Sequence, residues 1–170
     1  MTKEAVTNLL SFVAGKKVAF LVLLYERMIP ELRSFCIAEG RDFSIFQKAR
    51  EEYWQSLMDS SRSISWAQLR EDILNATPDS EDFGSQESSF ALNAALVAAD
   101  IAGLLADGQD VHIVEAMGYA LDSLSACVID ESGVVAYDKT IGDVVNSHAL
   151  VQKEVRAEED DVAFLSTIQD

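Results

Sequence analysis

The sequence predicts an all-α fold, a single-domain bundle of about seven or eight helices over residues 1–170 with a central antiparallel helical hairpin. Three observations carry this. Apolar residues recur at the pitch of a helix in nearly every segment, and no alternating run is long enough for a strand. The 2 prolines and 8 glycines are too few for a loop-rich β fold. Two long apolar segments, 88–106 and 111–129, are joined by so short a connection that they must be antiparallel neighbours. A chain of 170 residues fits one hydrophobic core.

Taken in order, residues 3–14 place Val6, Leu9, Leu10 and Val13 on one face, with Gly15 as the stop. Residues 16–29 are apolar almost all round through Tyr25, the mark of a buried helix. Pro30 then opens a third helix at its first position, which buries Leu32, Phe35 and Cys36 and ends at Gly40. Asp42 caps a fourth helix reaching Met58, with Phe46, Ala49, Tyr53 and Leu57 inward. Ser65 to Gln68 fit a capping box for a fifth helix on which Trp66, Leu69 and Ile73 form the apolar stripe.

The segment 75–87, with Pro78, Gly84 and several acids, is the longest loop. On 88–106 one stripe is Phe90, Ala94, Val97, Ile101 and Leu104; a second line of small side chains is Ala91, Ala95, Ala98 and Ala102. Small residues admit a close neighbour, so this helix belongs at the centre. Gly108 closes it, and Asp110 caps the partner helix, which turns Val114, Met117, Leu121, Leu124 and Val128 inward and stops at Gly133. Residues 134–142 read as extended chain or as a packed connector. A last helix over 143–168 carries Val144, Val151, Val155, Val162, Leu165 and Ile168.

The segments Val18-Ala19-Phe20, Tyr25-Glu26-Arg27-Met28-Ile29-Pro30, Phe35-Cys36 and Gly40 resemble the start of the YjaG-like bacterial family of small cytoplasmic proteins of unknown function. Thr77-Pro78-Asp79-Ser80-Glu81-Asp82-Phe83 before an alanine-rich helix is similar too, as is His112-Ile113-Val114-Glu115. The resemblance covers residues 9–168. It implies an all-α fold and a bacterial cytosolic setting, and it transfers no catalytic residue.

The net charge of −16 excludes a basic face for phosphates, and with it direct nucleic-acid binding and docking on an anionic membrane. Cys36 and Cys127, far apart in apolar helices, read as buried free thiols of a reducing compartment. The apolar run 18–25 is far short of the roughly 20 residues of a membrane span, and Glu26-Arg27 follow it where a signal peptide needs small residues. The expected location is the cytoplasm.

No phosphate-cradling loop, Cys-x-x-Cys pair or Gly-x-Ser-x-Gly elbow is present. His112 and Glu115 share a helix face at a spacing able to grip a metal, but the order is the reverse of the Glu-x-x-His of di-metal bundles and occurs once. Neither a metal nor a cofactor is therefore expected. Glu26 and Arg27 close a helix that is otherwise buried, so each needs a partner elsewhere. For Arg27 these are Glu31 or the acids Asp79, Glu81 and Asp82, a latch between loop and bundle. Glu158 to Asp161 read as a solvated acidic face, and His148 as a core or interface histidine.

The function expected from this is a non-enzymatic interaction or structural module that self-associates as a homodimer. One alternative is a small-ligand binder or enzyme with a polar pocket drawn from Glu26, Arg27, Asp79, Asp82, His112 and Glu115. The other is an acidic binder of a basic nucleoid protein.

Overall fold

A computed structural model describes residues 1–59, 63–79, 85–132 and 141–169, and among these the helical periodicity closes into eight helices. They are α1 (Lys3–Ser11), α2 (Ala14–Ala38), α3 (Ser44–Met58), α4 (Trp66–Ala76), α5 (Gln86–Asp107), α6 (Val111–Ser132), α7 (Ile141–Ser147) and α8 (Ala149–Thr167). No strand occurs among the described residues. Gly133, residues 134–140 of the expected connector and the loop acids Glu81 and Asp82 lie outside them, while the connector's last two residues, 141 and 142, open α7.

The centre is α5, wedged against α2, α4 and α6. Ala91, Ala94, Ala95, Ala98 and Ala102 are all sealed from solvent, together with Val97 and Ile101. Their small side chains bring neighbouring backbones close, and the bulk of the core comes from the other helices: Phe20, Leu21, Leu24 and Tyr25 from α2, Phe46 and Tyr53 from α3, Ile73 from α4. Tyr53 donates its hydroxyl to the Ala98 carbonyl at 2.6 Å, giving the buried phenol the partner it requires. By length and composition α5 is also the one described helix that could cross a membrane, and most of that stretch is buried inside the bundle. Gly108 ends it at φ 72°, the left-handed conformation expected of a glycine stop.

Several boundaries differ from expectation for local reasons. Pro30 does not start a helix; it sits inside the 25-residue α2. Proline in a helix interior costs about 3 kcal/mol. Ile29, Leu32 and Phe35 around it are buried, each worth roughly 1.5–3 kcal/mol, while Pro30 itself faces solvent. Packing outweighs the break. Gly15 likewise lies in the first turn of α2; Phe12 and Val13, both extended, make the stop.

The expected helix over 143–168 divides at His148, whose ring accepts the Leu150 N–H at 3.3 Å. His148 is thus a half-buried N-cap and not a core histidine. The capping box at α4 is half formed: Ser65 accepts the Gln68 N–H, but the Gln68 amide turns to Asp72.

The face of α6 is also shifted. His112, Ile113, Ala116, Ala120 and Ser123 are buried, whereas Val114 is 56% exposed and Met117, Leu121 and Leu124 are half-buried. A seam against an alanine wall favours small side chains at its middle and leaves the larger ones to flank it.

Because Ala95 is fully buried against the neighbouring helices, Ala95→Leu should cost about 1–3 kcal/mol in urea unfolding. Ala106→Leu, at an exposed position of the same helix, should stay within about 0.5 kcal/mol of the parent.

Candidate functional site

A polar niche lies at the turn end of the apolar hairpin. On α5, Asp100, Gly103 and Asp107 follow at helical spacing on one face. Across the Gly108 turn, the start of α6 contributes His112 and, one turn on, Glu115. His112 Nδ1 lies 3.0 Å from Asp100 Oδ1, and Nε2 lies 3.3 Å from Asp107 Oδ2. The ring can donate to both carboxylates only as imidazolium. Gly103 is the seat for that ring: a Cβ there would fall 2.5–2.8 Å from three imidazole atoms.

The carboxylates differ. Asp107 is exposed at the rim, and the Gln109 N–H at 2.8 Å holds its pKa below the usual carboxylate range. Asp100 is 3% exposed, and its Oδ2 has no hydrogen-bond partner. Burial pushes its carboxyl up to about 6, against the pull of the His112 hydrogen bond and charge; Glu115 adds a push and Arg70 of α4 a pull. Asp100, His112 and Glu115 each bring one donor atom into a cluster whose members lie within 4.8 Å of one another.

Arg27 forms a different network. It donates to Glu154 at 2.9 Å and to Asp161 at 2.6 Å, both on α8, and to the Leu23 carbonyl at 3.3 Å. Among the described residues this latch joins α2 to α8 and does not involve Glu31; the loop acids Glu81 and Asp82 lie outside them. Glu154, Glu158 and Asp161 fall on one face of α8, so the expected solvated run is broken: Glu158 is fully buried, and Asp160 faces water. Neither Glu158 oxygen has a hydrogen-bond partner. Burial first, then the Glu154 charge, lifts its carboxyl to about 7; Asp161 adds to this, and the Met1 amino group and Arg27 oppose it.

Glu26 belongs to a third network. It accepts from Arg50 Nε at 2.6 Å and Nη2 at 3.0 Å, and from the Trp54 indole at 2.6 Å. Burial alone would raise its pKa, but the Arg50 and Trp54 hydrogen bonds hold it below its ordinary value. Asp79 is exposed, and Asp82 lies outside the described residues.

Of the residues expected to form one pocket, His112 and Glu115 come together, while Glu26 and Arg27 are committed to separate ion pairs. Asp100, Gly103 and Asp107 complete the niche and were not anticipated. Asp100 did carry a signal, as a lone acid between Ala98-Ala99 and Ile101-Ala102.

The model of a family described as "Protein of unknown function (DUF416)" matches residues 4–170. A crystal structure of a DUF416 family protein from Shewanella baltica OS155 has a TM-score of 0.86 and 20% identity, covering 95% of this chain and 84% of that one. At that identity the likeness shows the fold alone. No curated protein matches the chain.

Glu158 has a folded pKa of about 7 against 4.5, so its contribution to stability is complete below pH 4.5 and is lost as pH rises towards 7. Glu158→Gln should abolish that decline, roughly 3 kcal/mol at most, and exceed the parent in stability at pH 8. Parallel curves for the two proteins between pH 4.5 and 7 would contradict this. Gly103→Ala gains about 1 kcal/mol of helix propensity but must displace the imidazole. Its expected signature is a moved His112 ring resonance in NMR with little net change in stability.

Proposed function

Because the chain belongs to the DUF416 family of proteins of unknown function, we propose a reading from its own geometry: a helical bundle that binds a small cation at the α5–α6 turn. One observation carries it. The Asp100 carboxylate is buried in an alanine-lined wall with Oδ2 unpartnered. An unsatisfied buried polar group costs about 1–3 kcal/mol. A clip between the two helices needs only Oδ1 and His112, and does not account for the second oxygen. A cation supplies the missing partner, drawn by the exposed Asp107 and Glu115 at the rim and by the net charge of −16.

The setting we infer is the cytoplasm, where a buried thiol such as Cys36 stays reduced. Within the family we read the chain as YjaG-like, on the strength of the Tyr25–Pro30 and His112–Glu115 segments.

Thermal unfolding at low salt tests the binding reading against a panel of divalent metal ions, ammonium, guanidinium and spermidine. At least one member should raise the parent Tm in a concentration-dependent way and leave Asp100→Asn unmoved. A panel in which no cation shifts the parent would end the proposal.

Self-association as a homodimer is a second reading, favoured by Phe164 and Ile168, four residues apart at the end of α8 and 60% and 43% exposed. Sedimentation velocity should then show a dimer that Phe164→Ser dissociates. A parent that stays monomeric at high concentration would exclude it.

A further inference from the structure

We propose that the cation is a divalent transition-metal ion of the zinc class, held by Asp100, His112 and Glu115 at the mouth of the α5–α6 hairpin. This rests on the cation-binding reading above and names the ligand of that site.

The donor set selects the ion. Magnesium and calcium prefer sites made of oxygen, whereas an imidazole beside carboxylates suits zinc and its neighbours in the first transition row. The dimensions are close to what such an ion needs. Metal–ligand bonds of about 2.0–2.2 Å around a tetrahedral centre put donor atoms roughly 3.4 Å apart. The trio already lies within 4.8 Å. Asp100 and the His112 ring are held by their surroundings, and the exposed Glu115 has the rotamer freedom to close the remainder.

The surroundings fit as well. A metal-bound histidine typically gives its second ring N–H to a carboxylate, which fixes tautomer and orientation. Asp107 stands at Nε2 for that purpose, so Nδ1, on the Asp100 side of the ring, is the nitrogen offered to the ion. Gly103 fixes the ring plane. Charge also matches: three carboxylates, Asp100, Asp107 and Glu115, stand against the one guanidinium of Arg70, leaving two negative charges for a divalent ion. The buried Asp100 oxygen without a partner points to a ligand independently of the spacing.

The fully buried Glu158 offers no comparable site. Glu154 and Asp161 on either side of it are already bound to Arg27, a cation the chain supplies itself.

Titration calorimetry on chelator-treated protein tests the proposal, with Zn²⁺ as the ion and buffers of two different ionisation enthalpies. One ion per chain should bind, with protons released on binding and affinity falling as the pH is lowered. Co²⁺ should bind with a visible absorption band, and excess Mg²⁺ should not displace either ion.

Asp100→Asn and His112→Gln should weaken Zn²⁺ by at least about ten-fold, the loss typical even of outer partners. Glu115→Gln, on the surface and harmless to folding, should weaken it too. His148→Gln, which alters the chain's other histidine, should not. Zn²⁺ binding that survives His112→Gln or Glu115→Gln undiminished would overturn the assignment. If an organic cation stabilises the parent through Asp100 while Zn²⁺ and Co²⁺ do not bind, the metal is wrong and the cation-binding reading stands. If no cation binds, both fall.

Discussion

Close contact along an alanine-lined helix is the constraint on which the rest of this molecule depends. Five alanines of α5 are sealed against neighbours, so the backbones of α2, α4 and α6 can approach where large side chains would hold them apart. Interiors are packed to crystal-like density, and a seam of this kind tolerates neither added volume nor a misplaced polar group. That is why Tyr53 brings its hydroxyl to a carbonyl of α5, and why the middle of the facing α6 surface is Ile113, Ala116 and Ala120.

Against that background the two buried acids of the described residues break local rules. Natural sequences depart from such rules mainly where something else is gained. Asp100 and Glu158 share the cause of their raised pKa values, which is burial ahead of any charge. They differ in what surrounds them. Glu158 faces a guanidinium that two other carboxylates already occupy, so its setting is a latch between α2 and α8. Asp100 opens towards a histidine, a glycine seat and two exposed carboxylates at a helix turn. The first arrangement holds the bundle together; the second has the shape of a receptor.

The polar pairs also show how much of the site could be read from the chain. Arg27 was recognisable as a charge needing a partner, and Glu31, one helical turn on, and the acids of the longest loop were the candidates. Glu154 and Asp161 lie 127 and 134 residues away, and only the docking of α8 on α2 brings them within reach. His112 and Glu115 were visible as a pair because one helix sets their spacing. Asp100 and Gly103 were not attached to them, because the register of α5 against α6 decides which side chains meet.

By itself the sequence determined the helical fold, the central hairpin, the buried alanine helix and the glycine stop at Gly108, since these depend on periodicity and backbone freedom within a few neighbouring residues. The tertiary structure decided the rest. It carried α2 straight through Pro30, because burial on both sides of the ring outweighed a local break. It turned one of four consecutive acids inward, and it assembled a niche from two helices. Each of these is settled by the energy of surfaces brought together across the chain, and no local pattern records which surfaces those are.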